Sequence, residues 1–527
     1  MDERSLNLLE LPAIRRALAE ETASELGRAL AERIAPAADA ELVAARCAET
    51  DEAALLRAEG VGGPAGAVHL DDAAAAGARG SSLEPDDLLN VWQTVTAVIA
   101  LREAVLAAED IAPRLAERMA GFDHGALTRL EGLLASALEP SGEIRDSASP
   151  ELASARRRLN AARDAAAELL RDLAGRHRSA LQEQFTTQRS GRPVLAVKAS
   201  SRREVPGLVH DRSASGETLF IEPLEVVEAH NAIAEIDAEA RAEERKVLAR
   251  LSGEVGAAAE DLREACREGG EVDLALARAG LSLSWNGCTV ETGDDIEIAA
   301  ARHPLLPRDE VVPVDLPIGD VRALVVSGPN TGGKTVALKT LGLMVVLHQC
   351  GLRPPAERAV LPVVGSVLAD IGDEQSIARS LSTFSAHVQT LREIIAAAGP
   401  GTLVLLDELA SGTDPSEGAA LAAAVMERLI EKGARVAATT HNSDIKSWAA
   451  ETAGAANAAV GIDAERLVPK YTLRIGEPGA SHALGIAEHL GLDAGVMKRA
   501  RALLDPARVR AEGLLADADA ARAKART

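Results

Sequence analysis

Apolar residues in the first 145 positions recur at three- and four-residue spacing. Leu6-Asn-Leu-Leu-Glu-Leu-Pro12 leads into a predicted helix over Ala13–Leu30, and Leu88–Ala108 keeps the same period. Gly60-Val-Gly-Gly-Pro-Ala-Gly66 interrupts it. Ser149-Pro-Glu-Leu152, with proline in the first turn, opens a long charged helix expected to reach about Gln184. The period then shortens. Pro193–Val197, Gly207–His210 and Glu217–Ile221 are strand candidates set apart by Gly and Ser. Pro223 begins a second long helix, dense in Glu, Arg and Ala, to about Arg267. From about Cys288 to Leu490, strands and helices alternate as in an α/β domain with a mostly parallel sheet. Leu503–Thr527 is a charged helical pattern without a cap. The long helices fit either a packed bundle or levers that carry nucleotide-driven motion.

Composition narrows this picture. A chain of 527 residues is long enough for several domains. Hydrophobic residues make up 47% but aromatics only 2%, and the alanine-rich, charge-rich balance favours long helices. The net charge of −23 excludes a generic polyanion binder, so any nucleic-acid contact needs a local basic patch. Cys47, Cys266, Cys288 and Cys350 have neither zinc-ligand nor disulfide-framework spacing and suit a reducing cytoplasm. Charged residues from Asp2 to Glu20 leave no signal-peptide stretch, and no run of about 18 uncharged apolar residues suggests a membrane span.

The chemistry starts at Gly328-Pro-Asn-Thr-Gly-Gly-Lys-Thr335, which fits the G-x-x-x-x-G-K-[ST] phosphate loop. The apolar run Arg322–Ser327 precedes it as a buried strand, and Val336–Val346 follows with helical spacing. Gly328, Gly332 and Gly333 let backbone N–H groups curl around phosphate oxygens, and the helix N-terminus adds partial positive charge. Pro329, Asn330, Thr331 and Val336 complete the binding stretch. Lys334 can reach the β- and γ-phosphates of ATP, and the Thr335 hydroxyl can hold Mg²⁺. Leu403-Val-Leu-Leu-Asp-Glu408 reads as a strand delivering two carboxylates to its C-terminal edge. Asp407 would orient the Mg²⁺ water shell and Glu408 would polarise the attacking water. Arg435–His441 is another strand, whose terminal His441 is either a γ-phosphate sensor or a plain surface or core histidine.

Two further segments remain open from the residues alone. Arg379-Ser-Leu-Ser-Thr-Phe-Ser385 opens the helix Ala386–Ala398, and its hydroxyls either cap that helix or face the nucleotide of a second subunit. Between Arg189 and Arg203 lie Arg189, Arg192, Lys198, Arg202 and Arg203, with no acidic residue and no aromatic. That composition fits phosphate contacts on a structured duplex better than single-strand stacking, and competes with a merely solvated face. Arg156-Arg-Arg158, with acids nearby, is a weaker candidate.

Taken jointly, these motifs resemble the MutS family of ATPases, specifically the bacterial type-two branch, recombination-suppressing relatives that usually carry a C-terminal Smr nuclease domain. The phosphate loop resembles that branch's, as do Asp373-Glu-Gln-Ser376 with Ser380–Ser385, Asp407–Gly418, Thr439-Thr-His-Asn-Ser443 and Arg474–Ser481. Upstream, Gly142–Pro150 and His210–Pro223 resemble its core and clamp. The resemblance covers roughly residues 5–510.

It implies a mixed α and α/β fold: a helical core with long lever helices and a small β clamp insertion, followed by an ABC-type P-loop ATPase domain with a mostly parallel sheet. The expected divisions are an N-terminal helical core at 1–148, lever and clamp at 149–285 with the insertion at about 186–222, the ATPase domain at 286–500, and the start of a C-terminal helical or coiled-coil segment at 501–527. It also implies a cytoplasmic homodimer that uses ATP and Mg²⁺, with Ser382 and its neighbours acting in trans. The function implied first is a clamp on double-stranded or branched DNA that restrains recombination. The second is a ribosome- and rRNA-binding factor that splits stalled, collided ribosomes.

Departures qualify the likeness. Asn442 stands where the family often has an aromatic, and Ala410 and Ser411 replace other small residues. The N-terminal mismatch-reading domain is missing, and Phe220-Ile-Glu222 reads as core or clamp structure rather than as its Phe-x-Glu wedge. No Leu-Asp-Leu-His-Gly-type nuclease motif occurs, so nuclease activity has no residues here to carry it, and the chain is expected to be either a fragment or a short member. A passive nucleotide-locked scaffold is disfavoured by Asp407-Glu408, and a transporter ATPase by the lack of a span.

Overall fold

Ala323–Ser327 is buried at every position and lies inside a six-stranded sheet. This arrangement comes from a computed structural model, which describes residues 2–189, 191–307, 309, 311–328, 333–372, 383–409, 413–462, 469–476, 487–488 and 491–503. The strand order is Ser366–Asp370, Thr402–Leu406, Arg435–Thr440, Ala323–Ser327, Ala455–Ile462, Pro469–Ile475. Every neighbouring pair is parallel except the last, which is antiparallel. The fold class is therefore the expected mixed one, with a mostly parallel sheet. Such a sheet is covered on both faces, which is why its strands read as unbroken apolar runs.

Alternation along the strands divides the core into two layers. Leu324, Val326, Leu403 and Leu405 face the helix Lys334–Gln349 through Leu338, Leu341 and Val345. Val325, Val404, Leu406, Val436 and Ala438 face the other side. There Leu391 and Ile394 of Thr383–Ala397, and Val425, Met426 and Leu429 of Pro415–Glu431, close the core. A second, four-stranded sheet adjoins the first layer, ordered Val290–Thr292, Arg358–Leu361, Ile296–Ala301, Val314–Gly319.

The N-terminus belongs to this body. Leu6, Leu9, Leu11, Ile14 and Leu18 are buried in the same cluster as the helix Lys334–Gln349. A Cβ at Gly342 would lie 2.5 Å from Leu405 Cδ1 and 2.7 Å from Leu9 Cδ2, so glycine lets the layers meet. The single helix expected over Ala13–Leu30 is two, Leu11–Glu20 and Glu25–Ala31. Ser24 breaks it: its hydroxyl caps Gly27 N–H and donates to buried Asp273.

By internal contact the chain forms two units, one of residues 1–65, 101–120 and 268–527, the other of 66–100 and 121–267. This grouping differs from the division drawn along the chain at 148 and 285, because periodicity marks helices without naming their partners.

The second unit is built on two antiparallel helices, Pro150–Arg176 and Leu224–Ala257. Ser149 caps the first through Leu152 N–H, with Pro150 in its first turn. Ion pairs Arg156–Glu244, Arg158–Glu239, Arg163–Asp237 and Arg176–Glu225 lace the helices together. Between them comes a four-stranded antiparallel sheet ordered Leu181–Arg189, Arg192–Lys198, Thr218–Pro223, Gly207–Arg212. Leu170, Leu173, Leu195, Val197, Ile221 and Val226 form its core.

Two helix limits differ from expectation. The first helix stops at Arg176 rather than near Gln184, because Leu181–Arg189 pairs as a hairpin with Arg192–Lys198. The second stops at Ala257, and Ala259–Ser284 is a new helix. Near this break a Cβ on Gly256 would lie 2.3 Å from the Gly77 carbonyl carbon, so the two glycines allow close backbone approach.

Candidate nucleotide-hydrolysis site

The strand Ala323–Ser327 ends at Gly328, whose φ of +146° only glycine adopts readily. Pro329, Asn330, Thr331 and Gly332 lie outside the described residues. The chain is described again at Gly333 (φ +77°), the N-cap of Lys334–Gln349. Lys334 is 3% exposed, and its Nζ donates to the Gly328 carbonyl at 2.9 Å. The ammonium therefore spans the loop from its last residues to its first. Burial pulls the Lys334 pKa below its ordinary value, and the charges of Glu408 and Asp407 work in the opposite direction. A buried cation opposite two carboxylates is suited to a polyanionic ligand.

The structure brings Thr335 and Asp407 together. Thr335 Oγ1 donates to Asp407 Oδ2 at 2.7 Å. The strand Thr402–Leu406, hydrogen-bonded on both sides, carries Asp407 to the C-terminal edge of the sheet. A hydroxyl and a carboxylate are hard oxygen donors and suit Mg²⁺, which keeps several waters and takes its remaining ligands from phosphates. Among the described residues no group of three or more His, Cys, Asp or Glu could hold a metal unaided. Thr335 and Asp407 are the side chains that could hold such a cation here.

Glu408 is half-buried and adopts φ +47°, a conformation that costs a non-glycine residue ~1–3 kcal/mol. Strain of this kind needs support, and Glu408 N–H donates to Thr439 Oγ1 at 2.8 Å. Glu408 shares a small cavity with Asp407, Asp370 and His387. His387 Nδ1 lies 2.9 Å from Asp370 Oδ2. His441 follows the strand Arg435–Thr440 and is exposed. Asn442 caps the next helix, Ser443–Glu451, through Asp444 N–H, and its Nδ2 donates to the Pro415 carbonyl. These contacts account for a polar residue where the family often has an aromatic. Ser382 lies outside the described residues.

A second cleft beside the loop was not evident from the sequence. Gly333, Val336, Ala337 and Thr340 line it together with Leu306, Val311, Val312 and Leu473. Its apolar lining suits a flat ring system attached to the phosphates. These residues come from three separate segments, so no local pattern announces them.

The matching family model is MutS domain V, over residues 324–507. A protein named endonuclease MutS2 from Symbiobacterium thermophilum is 42% identical over 99% of this chain and 66% of its own length. Endonuclease MutS2 of Thermomicrobium roseum is 41% identical over 98% of this chain and 67% of its own. The chain belongs to the MutS2 family. It spans about two thirds of the length of the curated MutS2 relatives it matches. The name endonuclease MutS2 describes those longer proteins.

Within this MutS2 chain the basic stretch is largely engaged. Arg189 lies 4.1 Å above the Phe220 ring and pairs with Asp211, and Arg192 pairs with buried Glu222 at 3.2 Å. Phe220 and Glu222 thus have structural partners within the sheet. Lys198 donates to the Ser179 carbonyl, and Arg202 to those of Val205 and Gly207. Arg203 is exposed, and its side chain has no hydrogen bond or ion pair among the described residues. Arg156 and Arg158 are taken up by Asp146, Glu244 and Glu239. No helix among the described residues is long and apolar enough to cross a membrane.

Proposed function

We propose that the chain hydrolyses ATP as the motor of a homodimeric MutS-type clamp acting on double-stranded or branched DNA. The observation that carries the ATPase reading is the meeting of Lys334, Thr335, Asp407 and Glu408 around one loop at the sheet's C-terminal edge. In this reading Lys334 binds the β- and γ-phosphates, and the neighbouring apolar cleft takes the base. Mg²⁺ held by Thr335 and Asp407 would neutralise phosphate charge. Glu408 orients and polarises the attacking water, and His441 senses the γ-phosphate. Ser382 and its neighbours complete the partner's site. Residues 149–285 serve as lever and clamp, residues 286–500 as the ATPase domain, and Arg203 is the cation best placed by exposure for a phosphate backbone.

The test is to measure ATP turnover and then recover the chain from cells with its bound nucleic acid. Turnover with bound DNA is the expected result. Bound ribosomal RNA instead would move the substrate to the stalled ribosome and leave the ATPase reading intact. Absence of turnover in the dimer would overturn the motor.

A further inference from the structure

Thr439 is the penultimate residue of the strand Arg435–Thr440 and is fully buried. The parallel ladder with the neighbouring strand ends at Leu406 opposite Ala438. Beyond that point the chain turns out of the sheet, and the N–H groups of Glu408 and Leu409 need new acceptors. Thr439 supplies both. Its Oγ1 accepts from Glu408 N–H at 2.8 Å, and its carbonyl accepts from Leu409 N–H at 3.1 Å. The same hydroxyl donates its proton to Asp407 Oδ1. With Thr335 on Oδ2, both oxygens of Asp407 are oriented.

A hydroxyl has one proton to donate and lone pairs to accept with. Donation to Asp407 therefore fixes the rotor so that a lone pair faces Glu408 N–H. One atom couples the aim of Asp407 to the backbone of Glu408 at its strained φ of +47°. The adjacent Thr440 lacks this role, because its Oγ1 accepts from Asn442 N–H instead.

We propose that Thr439 is a positioning residue for hydrolysis, acting through the hydroxyl that ties Asp407 to Glu408. This rests on the ATPase reading above. The hydroxyl carries the effect rather than the side-chain volume, so valine and serine separate the two contributions. Thr439→Val keeps the shape and removes the bonds; Thr439→Ser keeps the bonds and removes a methyl group.

The experiment measures kcat for ATP, nucleotide Kd and melting temperature for wild type, Thr439→Val, Thr439→Ser and Thr439→Ala. Misplacement of a reacting group by about 1 Å costs about 100-fold, so Thr439→Val is expected to lower kcat roughly 10- to 100-fold. Its Kd should stay within about threefold of wild type, since Lys334 and the loop are untouched, and Thr439→Ser should restore most of the turnover. If Thr439→Val fails to fold, Thr439→Ala against Thr439→Ser carries the same comparison. Wild-type kcat in the valine variant, or equal loss in the serine and valine variants, overturns the role of Thr439. A folded wild type that binds ATP without turning it over removes the hydrolysis reading and this inference with it.

Discussion

Thr335 Oγ1 donates to Asp407 Oδ2 at 2.7 Å, although 72 residues separate them in sequence. Asp407 directly follows the strand Thr402–Leu406, whereas Thr335 opens the helix that comes after the strand Ala323–Ser327, and both strands belong to one parallel sheet. The hydroxyl lies in the first turn of a helix after a glycine, while the carboxylate follows a strand with neighbours on both sides. Rigid backbone on both sides holds the hydroxyl–carboxylate pair in position.

Glu408→Gln should retain ATP binding and lose roughly 10²–10⁴-fold in turnover, because the amide keeps the shape without polarising water. Lys334→Ala should instead weaken binding, by about 1.5–3 kcal/mol for a lost charge-assisted hydrogen bond. Equilibrium nucleotide binding and steady-state hydrolysis distinguish the two. Wild-type turnover in Glu408→Gln would remove that residue from the mechanism.

The trans assignment of Ser382 makes a concentration-dependent claim. Turnover should rise more than linearly with protein near the dimer dissociation constant. Ser382→Arg and Lys334→Ala chains, each inactive alone, should regain one working site when mixed. Full activity from a species that sediments as a monomer would exclude the model.

Arg203→Glu should weaken nucleic-acid binding, leave basal ATPase unchanged, and flatten the salt dependence by roughly one unit of slope. Arg202→Glu is a poorer probe, because Arg202 holds the carbonyls of Val205 and Gly207 and its loss would disturb the local fold. A binding isotherm and salt slope for Arg203→Glu that overlay wild type would assign the residue to ordinary surface.

His348 predicts a pH dependence of stability. The ring is buried, with Nδ1 beside Cys47 Sγ at 3.6 Å and Nε2 beside Thr292 Oγ1 at 3.3 Å. Burial lowers its pKa from 6.5 to about 4. The unfolded chain therefore binds a proton between these values that the folded chain refuses. Stability is retained above pH 6.5 and falls as the pH drops towards 4, by roughly 3 kcal/mol in all. Urea denaturation across this range should show the loss, and His348→Gln should flatten it. An unchanged pH profile in that variant would place the titration elsewhere.

The sequence by itself determined the chemistry that is contiguous in the chain. The motifs Gly328–Thr335 and Asp407-Glu408 are legible because each candidate pattern lies within a few consecutive residues. The Ser149-Pro150 helix start was legible for the same reason. Tertiary structure alone decided which groups meet across the chain. It placed Leu6 to Leu18 against the helix Lys334–Gln349 and brought Val311 and Val312 to the cleft that Val336 lines. It paired Arg189 and Arg192 with Asp211 and Glu222, so a run that reads as free charge is mostly engaged. It also stopped the first long helix at Arg176, where hairpin pairing overrode helical period. Periodicity records which face of an element is buried; the partner of that face is set by strand order and packing, and those depend on the whole chain at once.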